Sequence, residues 1–119
     1  MGCNGSTAAG GAKKPKVEDS PEAKKVVDWI EGNVVMIFSK SYCPFCNKTK
    51  DLFKKLKIEF KSIEIDHQPN GEAMQFFLAQ RWGQRTVPNV FLRGSHLGGN
   101  DFIQTAYKSG DLKTVLEKY

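Results

Sequence analysis

Two cysteines two residues apart, Cys43-Pro44-Phe45-Cys46, stand between an apolar run and a helix-like run, and no other stretch limits the fold so sharply. The run before them, Val34-Val35-Met36-Ile37-Phe38, reads as a strand buried on both faces. The run after them, Asn47 to Leu56, reads as a helix whose Leu52, Phe53 and Leu56 recur at helical spacing. A Cys-x-x-Cys pair at such a junction is the pattern of thiol–disulfide chemistry. The N–H groups and dipole at a helix N-terminus favour a thiolate over a thiol, and the thiolate is the species that attacks a disulfide. Residues i and i+3 are neighbours on a helical turn, close enough for a disulfide to close. Cys43, at the exposed start, is expected to attack, and Cys46, one turn in, to resolve. Pro44 suits the first turn, where its missing N–H is no loss. The same pair could form half of a zinc site, but structural zinc takes four ligands. Cys3, His67 and His96 offer no second pair at the required spacing, so no metal site is expected.

The 119 residues fit one domain with a single core. No apolar run approaches the roughly 20 residues that a membrane-crossing helix needs, so a soluble globular chain is expected. The net charge of +5 comes from 18 basic and 13 acidic side chains. The lysines alternate with acids along helix-like segments, the pattern of a solvated face, and no nucleic-acid partner is expected. Three cysteines are too few for a disulfide scaffold and would leave one over. Met1 to Gly11 lacks the apolar core of a secretory signal. A pair that cycles in the reducing cytoplasm is the expectation.

Residues 1–19 differ in composition from the rest, being rich in Gly, Ala and small polar residues, and are read as a flexible tail. A folded domain is expected over residues 20–119. Ser20-Pro21-Glu22 is a helix start, with Val26, Val27, Trp29 and Ile30 on the apolar face and Gly32 at the end. Glu59 to Asp66, with Phe60, Ile63 and Ile65 set among polar residues, reads as a second strand, parallel to the first across the intervening helix. Asn70 to Trp82 reads as a third helix with Met74, Phe77 and Leu78 inward and Gly83 closing it. Val87 to Leu92 is a third strand, and Arg93-Gly94-Ser95 turns it into a short antiparallel fourth, Ser95 to Leu97. A last helical region runs from Asp101, interrupted at Ser109-Gly110-Asp111. The class is α/β: a small four-stranded mixed sheet with helices on both faces.

Four pieces together carry a resemblance: Lys40-Ser41-Tyr42-Cys43-Pro44-Phe45-Cys46, then Gly83 to Phe91 with its Thr86-Val87-Pro88, then the turn before Ser95-His96-Leu97, then Gly98-Gly99-Asn100-Asp101. From Pro21 to Tyr119 the chain resembles a dithiol glutaredoxin of the thioredoxin-fold superfamily. A thioredoxin usually carries Trp before the first cysteine and Gly-Pro between the pair. The resemblance implies a monomeric, glutathione-dependent oxidoreductase that reduces protein–glutathione mixed disulfides and protein disulfides, with glutathione as co-substrate and no tightly bound cofactor. It implies Cys43 as nucleophile and Cys46 as resolver. Lys40 would hold the glycine carboxylate of glutathione, aided by Gln75, and Tyr42 would pack on the bound peptide. A cis bond would precede Pro88. Val87 would pair its backbone with the cysteinyl residue, and Thr86 would border the groove. Gly99, Asn100 and Asp101 would meet the γ-glutamyl end at a helix start. Phe102 stands where many relatives carry a second polar or acidic residue, so one contact there is expected to be lost or replaced. The alternative is a carrier of an iron–sulfur cluster ligated by the first cysteine and glutathione; relatives with Pro at position 44 usually hold no cluster.

Met1-Gly2-Cys3-Asn4-Gly5-Ser6 fits the N-myristoylation pattern. With acylation at Gly2 and Cys3, and Lys13, Lys14 and Lys16 facing anionic lipid, the chain would associate with a membrane surface.

Overall fold

The computed structural model describes residues 20–118. The expectations for residues 1–19, acylation at Gly2 and Cys3 among them, fall outside that range. Helix α1 (Pro21–Gly32) starts as its sequence dictates: the Ser20 hydroxyl accepts the Ala23 N–H at 3.1 Å, and Pro21 and Glu22 occupy the first turn. Strand β1 (Val35–Ser39) follows and is buried along its whole length. Val34, expected inside, is left outside and exposed.

Helix α2 (Pro44–Lys55) carries the chain to β2 (Lys61–Glu64), which pairs parallel with β1. The second strand is shorter than the expected Glu59 to Asp66. β2 is an edge strand whose only partner is β1, and β1 ends at the Ser39–Glu64 pair. With no ladder beyond that point, Ile65–His67 winds into a 3₁₀ turn. Helix α3 (Gly71–Trp82) begins at a close approach: a Cβ on Gly71 would lie 2.1 Å from the Ile65 carbonyl oxygen, so only glycine fits. Strand β3 (Asn89–Leu92) starts only after Pro88, which has no N–H for a ladder. The Val87–Pro88 bond is cis. Arg93 and Gly94, at φ 47° and 85°, make the hairpin into β4 (Ser95–Gly98). Helices α4 (Asn100–Lys108) and α5 (Leu112–Lys118) are separated where the interruption was expected.

The sheet order is β2-β1-β3-β4, with β1–β3 and β3–β4 antiparallel. Successive residues of β1 serve opposite faces. Met36 and Phe38 pack with Phe91 under α1 and α3, against Val26, Ile30, Met74, Phe77 and Leu78. Val35 and Ile37 pack with Val90 and Leu92 under α2, α4 and α5, against Leu52, Phe53, Ile103 and Leu112. This is the mixed sheet with helices on both faces that the pattern implied. Its consequence for the site is that the start of α2, the segment before β3 and the start of α4 are brought together.

Candidate active site

Cys43 is the N-cap of α2. Its backbone is extended, and its sulfur accepts the Cys46 N–H at 3.3 Å. The sulfur therefore stands where a capping oxygen would satisfy an orphan helix N–H, the position that favours negative charge. Cys43 is half-buried and Cys46 is fully buried; both are free thiols. Burial, and next the hydrogen bond with Cys43, push the Cys46 thiol up to about 11, against smaller opposing contributions from the Ser39 hydroxyl and the Lys40 backbone. At neutral pH Cys46 is protonated and shielded, while Cys43 offers the sulfur that a disulfide in solution can reach.

Two open cavities flank Cys43. One, of about 320 Å³, is lined by Lys40, Tyr42, Asp66 and Gln75. The other, of about 270 Å³, is lined by Phe45, Thr86, Val87, Pro88, Gly99, Asn100 and Asp101. All nine residues singled out for glutathione thus fall into one or other of the two. The Val87 carbonyl reaches over the cysteine, 3.8 Å from its Sγ. Among the described residues Lys40 makes no ion pair. The Tyr42 ring stands 71% exposed at the rim.

Two of these side chains are held by hydrogen bonds within the protein. Gln75 donates from Nε2 to the Arg85 carbonyl at 2.6 Å, tying α3 to the segment before β3. The Asn100 Oδ1 accepts from Thr49 at 2.8 Å and from Gln104 at 3.2 Å, tying α4 to α2. What Asn100 keeps for a ligand is its backbone N–H at the start of α4, where no side chain caps the helix.

Other residues that build the site drew no role from the sequence. The Ser41 N–H donates to Asp66 Oδ1 at 3.0 Å and the Ser41 hydroxyl to Oδ2, which pins the Lys40–Tyr42 loop to the 3₁₀ turn. That hydroxyl is the main reason the Asp66 carboxyl lies below its usual value. Behind Thr86–Pro88 lies a half-buried polar brace. Gln84 Nε2 donates to the Thr86 and Pro88 carbonyls at 3.1 and 3.0 Å, and Asn89 Nδ2 donates to the Gln84 carbonyl at 3.3 Å. His96 Nε2 lies 3.1 Å from Gln84 Oε1 and 2.9 Å from Asn89 Oδ1. Both are acceptors, so Nε2 is assigned the proton. The one sequence signal for this brace was Asn89, a polar residue inside an otherwise apolar strand.

Burial holds His96 below the usual histidine range. The folded state therefore keeps it neutral where an unfolded chain takes up a proton. Its contribution to stability is complete above the unfolded value near 6.5 and is lost as pH falls toward the folded value. The thermal midpoint is expected to be flat above that point and to fall below it, and less so in His96→Gln. An equal fall in both proteins would contradict the assignment.

A reachable sulfur at a helix start, a buried second thiol one turn on, and a backbone segment ending in a cis-proline opposite them define a thiol–disulfide oxidoreductase on a thioredoxin-like sheet. The glutaredoxin family model matches residues 35–97. A glutaredoxin of Solanum lycopersicum is 45% identical over 92 residues, 77% of this chain and 85% of that protein. Glutaredoxin-C4 of Arabidopsis thaliana is 44% identical over 97 residues, 82% of this chain and 72% of that protein. Among solved structures, the holo form of glutaredoxin C1 from Populus tremula x tremuloides superposes with a TM-score of 0.79 at 33% identity, covering 82% of this chain and 97% of that one. A buckwheat glutaredoxin–glutathione complex superposes with a TM-score of 0.77 at 38% identity, covering 82% and 88%. The chain belongs to the glutaredoxin family.

Proposed function

We propose that this glutathione-dependent thiol–disulfide oxidoreductase removes glutathione from protein mixed disulfides and reduces protein disulfides through Cys43 and Cys46. The observation that carries the proposal is the Cys43 sulfur, held by the Cys46 N–H at the start of α2 between the two cavities. The crystal structure of a relative with glutathione supports the choice of co-substrate.

In the first step the Cys43 thiolate attacks the glutathione sulfur of a mixed disulfide. The Cys43–glutathione S–S bond forms, the old S–S bond breaks, and the target leaves as a thiolate that takes a proton from water. In the second step a glutathione thiolate attacks the glutathione sulfur of the adduct, which yields glutathione disulfide and restores Cys43. Alternatively Cys46 attacks the Cys43 sulfur, closes the intramolecular disulfide and expels glutathione. Lys40 offers its cation to the glycine carboxylate. Val87 offers backbone groups to the cysteinyl residue as a short added strand. The open N–H groups at Gly99–Asp101 suit the γ-glutamyl carboxylate, and the Asp101 carboxylate suits its ammonium. Gln75 acts by holding the segment at Arg85, Thr86 borders the groove, and Tyr42 covers the bound peptide.

The test is steady-state reduction of a glutathione mixed disulfide, with glutathione as reductant and regeneration of glutathione from its disulfide as readout. Turnover that saturates with the mixed disulfide is expected. A rate equal to that of glutathione alone would contradict the proposal.

A further inference from the structure

We propose that His96 and Gln84 are positioning residues for glutathione: they tie together the two walls of the smaller cavity and so set the preference for glutathione over a smaller thiol. The proposal rests on the reading of that cavity as the γ-glutamyl site and adds the residues that give it its shape. Neither side chain lines the cavity; both act through backbone that does.

The hydrogen bonds of this network dictate one another. Gln84 Nε2 lies 3.1 Å from the Thr86 carbonyl oxygen and 3.0 Å from that of Pro88. Two acceptors need two donors, so the amide nitrogen of Gln84 must face them. Asn89 Nδ2 faces the Gln84 backbone carbonyl at 3.3 Å for the same reason. The side-chain oxygens of Gln84 and Asn89 are then both left to His96 Nε2, at 3.1 and 2.9 Å. Only a donor can stand between two oxygens. Asn89 is 1% exposed, so its oxygen finds no bulk water instead.

What the network fixes is the backbone on each side of Val87. The clamped carbonyls belong to residues 86 and 88, while the Val87 carbonyl is turned to the cysteine, 3.8 Å from Cys43 Sγ. The same amide reaches the opposite wall. A Cβ on Gly99 would lie 3.5 Å from Gln84 Nε2 and 3.3 Å from the Pro88 carbonyl oxygen, so the chain at Gly99 packs on the bonded pair itself. Gly99 directly follows β4, the strand that carries His96, and caps α4. Thr86–Pro88 and Gly99–Asp101 are thus held at a fixed separation by one knot of side chains.

That separation matters to glutathione and not to every thiol. The cysteinyl residue of glutathione lies between two amide bonds, so it has an N–H and a C=O to pair with extended backbone. Free cysteine has an ammonium and a carboxylate in their place and no γ-glutamyl arm to enter the cavity. A displaced wall therefore slows the reaction of the glutathione adduct and spares that of the cysteine adduct.

The test uses one peptide whose single cysteine carries either glutathione or cysteine in disulfide linkage. The second-order rate of peptide thiol release by the reduced protein is measured for each, and the ratio of the two rates is the readout. His96→Leu removes the donor, and Gln84→Met removes the amide at nearly the same length. In each, the ratio is expected to fall about tenfold or more, since a displacement of about 1 Å can cost about a hundredfold. His96→Gln, whose amide N–H groups can face both oxygens, is expected to restore it. A smaller folded fraction lowers both rates by the same factor and leaves the ratio where it was. An unchanged ratio in both variants would therefore overturn the positioning role, as would a ratio as low in His96→Gln as in His96→Leu. If the unaltered protein shows no preference for the glutathionylated peptide, the reading of the cavity falls and the proposal with it.

Discussion

Cys43→Ser is expected to lose glutathione-dependent turnover by a factor of at least about a thousand, because a hydroxyl in place of the thiolate cannot attack a disulfide at neutral pH. Cys46→Ser is expected to behave otherwise. Removal of glutathione from a mixed disulfide needs only the Cys43 sulfur and a second glutathione, so that activity remains. Reduction of a protein disulfide leaves Cys43 tied to the target until Cys46 cuts it free, so that activity is lost. The split follows from burial. Cys46, wholly inside α2 with its thiol at about 11, can reach Cys43 but not a disulfide in solution. Paired assays with a glutathionylated peptide and a protein disulfide make the measurement. Equal loss of both activities in Cys46→Ser would contradict the roles assigned to the pair.

The second large effect is on stability. Phe91→Ala is expected to cost about 3–5 kcal/mol, as for large core aromatics generally. Phe91 is 0% exposed and its ring meets Phe38 at 5.8 Å, Trp82 at 4.9 Å and His96 at 5.1 Å. It stands in the middle of the sheet beneath the polar brace that carries Thr86–Pro88. Domains of this size hold about 5–15 kcal/mol in all, so the variant is expected to be marginal at room temperature. Urea titration gives the value. Tyr42→Ala, which removes an exposed ring, is expected to move the midpoint by less than about 0.5 kcal/mol. Comparable losses in the two variants would mean that the core is placed wrongly.

Much of this arrangement was legible in the chain. The first four residues of β1 are apolar, and the Arg93-Gly94 hairpin and the Ser20 cap each carry a local chemical signal. Such signals are local, and so they survive without knowledge of neighbours. The end of β2 was not legible, because it is set by where β1 stops. Nor were the side-chain commitments of Gln75 and Asn100, which depend on the Arg85 carbonyl and on Thr49, ten and fifty-one positions away. The same holds for the hydrogen bond between Ser39 and Glu64, which stand twenty-five residues apart and become neighbours only through parallel register. The resemblance supplied the cis bond before Pro88, which composition and spacing alone leave as a minority conformer.

The most direct test of the central claim is to locate glutathione after one turnover. Cys46→Ser protein mixed with a glutathionylated peptide, quenched with acid and digested, should carry one glutathione on Cys43, with the peptide released as its free thiol. Glutathione still on the peptide, or bound to a side chain other than Cys43, would contradict the account.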